Sequence, residues 1–211
     1  MNMRSFRTEG IIIKRRNFGE ADRIITVFTR DHGKLHIKAS GVRKITSRRS
    51  GQIELLNHAI LGLYKGNGFP ILTEAKMVEE YAPIKSDLDK IGLAYHLCEL
   101  VDGLCPENQE LREVYMLLKG TLGRLAECEE EQSVAGSSLQ LDPKRFEALS
   151  GAPARETVIE IIHEFEVELL SLLGYWNSET QTSAELRDAP AYIETIIERK
   201  LKSKKIFSRL Q

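Results

Sequence analysis

The hydrophobic period of this chain changes once, at Pro83, and that change limits the fold more than any other feature. Before it, short apolar runs alternate with polar residues or stop at turn residues; after it, apolar residues recur at spacings of three and four. A period of two belongs to strands with one buried face, and a period near 3.6 to amphipathic helices. The expected class is α+β, with a small β-barrel over residues 1–80 and an α-helical domain over 81–211.

Five strands are expected in the first part. Ile11–Ile13 ends in Lys14-Arg15-Arg16, Asn17-Phe18-Gly19 turns, and Arg23 to Thr29 is rich in Ile, Val, Thr and Phe. Asp31-His32-Gly33 is a short loop with a glycine free to take positive φ, and Lys34 to Ala39 alternates strictly. A loop from Gly41 to Gly51 leads to a strand near Ile53 to Tyr64, a Lys65-Gly66-Asn67-Gly68 turn, and a strand from Ile71 to Val78. Closing such strands into a barrel removes their exposed edges.

In the second part, Ile84, Leu88, Ile91, Ala94, Tyr95, Cys98, Val101 and Cys105 predict one amphipathic helix, and Leu111, Val114, Tyr115, Leu118, Leu122 and Leu125 a second, each burying one face. Residues 129–154 predict a loop. A third helix is expected from Glu156 to Gly174, with Gly174 at its C-terminal cap, and a last one after Pro190 that ends in Lys200, Lys202, Lys204, Lys205 and Arg209.

Charge is divided as sharply as periodicity. Residues 1–50 hold thirteen Lys/Arg and four Asp/Glu, a balance of +9; since the 211-residue chain carries −1, residues 51–211 carry −10. Such a basic segment is either a solvated face or a phosphate-binding surface, where each cation releases condensed counterions. The alternation places Lys34, His36 and Lys38 in one exposed row opposite Leu35, Ile37 and Ala39, which favours the second reading. Lys14, Arg15, Arg16, Arg23, Lys34, His36, Lys38, Arg43, Lys44, Arg48 and Arg49 are the candidate DNA-binding residues. The Gly41–Gly51 loop, basic and free of acids, is the candidate clamp, its end glycines allowing movement. Phe18, His36 and Tyr64 are either stacking platforms or ordinary barrel and turn residues.

Catalysis is not expected. No phosphate-binding G-x-x-x-x-G-K-[ST], no H-E-x-x-H and no G-x-S-x-G occurs, and Glu20, Asp22, Asp31 and His32 flank turns interleaved with Arg rather than forming a nuclease metal site. Cys98, Cys105 and Cys128 fit neither a disulfide framework nor paired zinc ligands. No cofactor is expected. Without a signal-like or membrane-spanning apolar run, the expected location is the cytoplasm.

The ordered run Ile12 to Leu35, continuing through Ala39-Ser40-Gly41-Val42-Arg43-Lys44 to Leu63-Tyr64-Lys65-Gly66, resembles the N-terminal domain of the bacterial recombination mediator family RecO. Phe165 to Tyr175 is similar to the helix end that precedes the zinc module of that family, and Leu201-Lys202-Ser203 to its C-terminal helix. The resemblance implies an oligonucleotide-binding (OB) barrel followed by helices, in a protein that is a monomer on its own and works at the bacterial nucleoid. It further implies binding of single- and double-stranded DNA, strand annealing, and loading of RecA with RecR onto strands coated by SSB. Many members carry two cysteine pairs after the helix end; here Tyr175 to Thr180 holds none, so zinc is not implied.

By the same resemblance the acidic SSB tail needs an apolar pocket with a cation at its rim. Lys202, Lys204 and Lys205 are the rim candidates, with Phe207 and Leu172 in the wall, unless those lysines only serve a helix end. Arg112, Lys119 and Arg124 are the next candidates. The other reading of the whole chain is an OB-fold interaction adaptor that does not touch DNA.

Overall fold

A single long strand closes the barrel. In the computed structural model, which describes residues 4–66, 68–128, 158–176, 189–197 and 201, β1 spans Ser5–Phe18. Its first half pairs antiparallel with β4 (His58–Tyr64) and its second half with β2 (Asp22–Thr29). The sequence shows only the apolar centre of β1, Ile11–Ile13, because the flanks Ser5–Glu9 and Lys14–Phe18 are mostly polar. With β3 (Gly33–Ala39) and β5 (Ile71–Glu79), the strands form a closed barrel in the order β1-β2-β3-β5-β4. Closure between β3 and β5 is narrow, a parallel pair at Lys38 and Ile71 beside a Lys38 N–H to Pro70 carbonyl bond of 2.8 Å.

The fourth strand starts at His58 rather than near Ile53. Gly51–Ile53 forms a 3-10 turn, and Leu56, with φ of 68°, lies in a left-handed conformation that a strand cannot contain. The Asn57 side chain donates to the Gly51 carbonyl at 2.9 Å and fixes the bend.

The helices are α1 (Ala82–Lys85), α2 (Leu88–Leu104), α3 (Arg112–Glu127), α4 (Val158–Leu172) and α5 (Ala189–Ile197). The first predicted helix is broken into α1 and α2, because Asp87 accepts from the Asp89 and Lys90 amides and starts a new helix there. α2 also departs from the one-face expectation. It buries Leu93, Ala94, His96, Leu97, Cys98, Leu100, Val101 and Leu104, most of its circumference, as befits a helix enclosed by its neighbours. α3 and α4 keep their single stripes, and Gly174, with φ of 75°, follows α4 where the cap was expected. The segment 129–154 and the basic end that includes Lys200, Lys202, Lys204, Lys205, Phe207 and Arg209 lie outside the described residues.

Two apolar clusters hold the fold. One fills the barrel with Ile12, Ile25, Val27, Leu35, Ile37, Leu61, Leu63 and Leu72. The other joins the outer barrel residues Ile11, Ile13, Phe28 and Leu56 to the helices through Leu97, Val101, Tyr115, Leu122 and Phe165. Full burial of each such side chain contributes roughly 1.5–3 kcal/mol.

Polar ties cross the same seam. Glu9 on β1 accepts from His58 at 2.6 Å, from the Tyr115 hydroxyl at 3.0 Å and from Lys119 at 3.1 Å. Burial would raise the Glu9 carboxyl, but Lys119, Tyr115 and His58 outweigh it and hold the group down to about 2. Burial, the largest effect on His58, lowers that imidazole below its usual 6.5. Both groups therefore bind protons more readily in the unfolded chain, so their contribution is complete above 6.5 and drains as pH falls. The urea midpoint is expected to fall between pH 7 and pH 4, and Glu9→Gln with His58→Gln should flatten that slope. An unchanged slope in the double variant would show that these groups do not set it.

Candidate nucleic-acid interface

A β-bulge decides which way the basic end of β1 faces. Ile12 pairs with Val27 and points into the barrel, but the register shifts at Ile13, so that Lys14 pairs with Thr26 and Arg16 with Ile24. One extra residue reverses the parity of everything beyond it. Lys14, Arg16 and Phe18 thereby share the outer face with Ile24 and Thr26 of β2 and His36 and Lys38 of β3. Cross-strand register sets two rows on that face, Lys14–Thr26–His36 and Arg16–Ile24–Lys38.

The rows border a cleft of about 380 Å³ lined by Lys14, Arg16, Ile24, Thr26, His36, Phe69 and Glu107. Ile24 and Thr26, both buried, lie at its base. Phe69, from the β4–β5 connection, is half exposed with its ring centroid 5.8 Å from that of His36. Lys38 places its ammonium 5.4 Å from the centre of the exposed Phe18 ring and 3.2 Å from Asp22. The face thus offers planar groups and cations side by side, the combination that holds a single strand by stacking and phosphate contact.

Seven of the candidate cations fall into four groups. Among the described residues Arg16, Lys44 and Arg48 have no acidic partner within ion-pair distance. Arg43 is exposed and donates to the Gly19 carbonyl at 2.9 Å. Arg15 and Arg23 lie on the opposite parity of β1 and β2, and both pair with Glu54, Arg23 at 3.2 Å. Lys14 is on the face but holds Asp102 of α2 at 2.7 Å.

Lys34 corrects the expected exposed row. It is 7% exposed and donates to the Asp102 carbonyl at 2.6 Å, because α2 packs over that end of β3. His36 is partly covered as well, its Nε2 donating to Glu107 at 2.9 Å and its Nδ1 lying 3.1 Å from the Thr26 hydroxyl. Arg49 is a clamp of the fold, donating to the carbonyls of Leu72 at 2.7 Å and Ser40 at 2.9 Å.

The basic loop after β3 is pinned rather than free at its glycine end. Val42 is fully buried in the barrel cluster, and the Gly41 amide donates to Asp22 at 2.8 Å. That amide, followed by Lys38, holds the Asp22 carboxyl below its ordinary range. Of the stacking candidates, Tyr64 ends β4 opposite Ser5 and Ile71 and does not line the cleft. Phe69 does. Its signal in the sequence was its place in the β4–β5 connection, which the Lys38 N–H to Pro70 carbonyl bond holds beside β3. Asp102 and Glu107 were missed because nothing local marks an acid that will reach another element.

Leu172, the described member of the candidate partner pocket, is exposed at the end of α4. Lys202, Lys204, Lys205 and Phe207 lie outside the described residues. Among the fallback cations, Lys119 holds Glu9 at 3.1 Å and Arg124 holds Glu164 at 2.8 Å. Among the described residues no group of three or more His, Cys, Asp or Glu is arranged to hold a metal, and no helix is long and apolar enough to cross a membrane.

Comparison with known proteins places this geometry in context. Residues 3–81 match the family described as Recombination protein O N terminal, and residues 85–139 match Recombination protein O C terminal. A DNA repair protein RecO of Roseiflexus sp. (strain RS-1) is 37% identical over 147 residues, which cover 70% of this chain and 49% of that protein. One from Symbiobacterium thermophilum is 30% identical over 173 residues, covering 82% and 58%. The chain spans about half the length of these relatives. A third, from Desulforamulus reducens, is 28% identical over 249 aligned positions that take in 99% of this chain and 96% of that protein.

Proposed function

This chain belongs to the recombination protein O family, and from that premise we propose that it is a non-enzymatic DNA-binding mediator of recombinational repair. The barrel binds single strands along the cleft face and duplex DNA through the basic loop, and supports annealing of complementary strands. The helical half takes protein partners, RecR and the acidic tail of SSB, so that RecA is loaded on strands that SSB has covered. The observation that carries the reading is the register: Arg16 and Lys38 stand across the buried Ile24 on one outward row, beside exposed Phe18 and Phe69. Phosphates meet the cations and bases meet the rings. Each stacked base adds on the order of 1–3 kcal/mol.

Binding on this basis is electrostatic and tolerant of sequence, because the contacts are side chains on strands and a loop rather than a helix reading a groove. If roughly four phosphates are neutralised, the log–log salt slope on a single-stranded oligonucleotide is about −3. Fluorescence anisotropy with and without Mg²⁺ measures the slope, and a gel of the same samples shows whether the DNA stays intact. A slope near zero would leave the adaptor reading in its place, and a shortened substrate would indicate a nuclease.

A further inference from the structure

Ile45 stands fully exposed at the tip of the loop after β3. Arg43, Lys44 and Arg48 surround it in sequence, and residues 41–50 include no acid. A lone exposed aliphatic is ordinary on a mobile loop. This loop is held on both sides of the tip, by buried Val42 and by the two carbonyl bonds of Arg49. It is also tied to the β1–β2 turn through the Arg43 amide to Ala21 at 3.0 Å and the Arg43 guanidinium to Gly19 at 2.9 Å. The tip therefore stands beside the β1–β2 turn that follows Phe18.

We propose that Ile45 is an apolar wedge that packs on the outermost base pair where a duplex meets a single strand. This rests on the DNA-binding reading above and assigns its substrate as the single-strand/duplex junction. A junction offers the two surfaces that the loop matches. Its terminal pair exposes an apolar π face, and phosphates of both strands converge around it. An aliphatic side chain is the kind of group that proteins insert at base steps, and the cations at positions 43, 44 and 48 neutralise the phosphates beside it. A protein partner is a poorer fit, because one isoleucine falls far short of the roughly 800 Å² that each side of a stable interface buries. The single strand leaving the junction runs past Phe18 into the cleft, so the wedge and the cleft read one continuous substrate.

Three oligonucleotides of equal length test this: a single strand, a duplex, and a junction with 2-aminopurine in its terminal pair. Wild type is expected to bind the junction about tenfold more tightly than either simple substrate, and to raise the 2-aminopurine fluorescence as the pair loosens. Ile45→Ser should lose both the preference and the signal, while Ile45→Leu keeps them. Arg48→Ala should weaken all three substrates alike. The Ile45 side chain is wholly exposed, so a matching thermal midpoint in each variant confirms that folding is not the cause. Wild type that binds single strands without preferring the junction, or an Ile45→Ser variant that retains the preference, overturns the wedge and leaves the mediator reading standing. Wild type that binds none of the three overturns both.

Discussion

Gly33→Ala is expected to be among the most destabilising single substitutions in the barrel, lowering the thermal midpoint by several degrees. Gly33 has φ of 63°, and a Cβ there would lie 1.7 Å from the Gln109 carbonyl oxygen, so the helical half of the chain would have to move. The left-handed conformation costs an alanine about 1–2 kcal/mol and the overpacking about 1–3 more. A total of roughly 3 kcal/mol corresponds to a midpoint shift of about 6–12 °C in a chain of this size. What moves is the segment in which Glu107 bridges to Lys34 and the Asn108 amide donates to the Lys34 carbonyl. Gly19→Ala is the control. Gly19 has φ of 61° but open space around its Cβ position, so only the conformational part of the cost applies. Equal midpoints for the two variants, measured by calorimetry, would mean that the close approach of Gly33 to Gln109 carries no stability.

Arg16→Ala, Arg43→Ala, Lys44→Ala and Arg48→Ala combined are expected to reduce single-strand affinity by roughly 10²-fold at about 0.15 M salt. Each phosphate contact on a single strand contributes about 0.7 to the salt slope, so four contacts account for nearly all of it. The variant should lose affinity on every sequence alike and bind with a slope close to zero. Its fold should persist, since all four side chains are exposed. Arg49 and Lys34 are left in place because both bond backbone carbonyls and support the fold. Lys14→Ala alone should change binding little, because Asp102 already neutralises that ammonium at 2.7 Å. A quadruple variant that binds single strands as wild type does, with the same slope, would place the DNA elsewhere on the protein.

The difference between these residues shows how far the sequence carried. The alternation from Lys34 to Ala39 placed Leu35, Ile37 and Ala39 inside and the basic residues outside, and the structure has that parity. What stands outside was not legible: Asp102 is 68 residues from Lys34 and Glu107 is 71 from His36. The bulge was hidden for another reason. Ile11-Ile12-Ile13 buries all three side chains, one inside the barrel and two against the helices, so no alternation exists there to be seen breaking. α2 shows the same limit in a helix, where its apolar spacing was visible but the elements that enclose the rest of its surface were not.

The sequence by itself determined the class of fold, the change at Pro83 from strands to helices, the glycines with positive φ at 33 and 174, and the concentration of positive charge in the barrel. These depend on one residue's conformational range or on a few neighbours, and are written locally. Only the tertiary structure decided that Arg16 and Lys38 share a row, that Phe69 lines the cleft, and that Lys34 is buried under α2. The physical reason is that backbone geometry sets the direction of a side chain, whereas its access to solvent depends on which distant element packs opposite it.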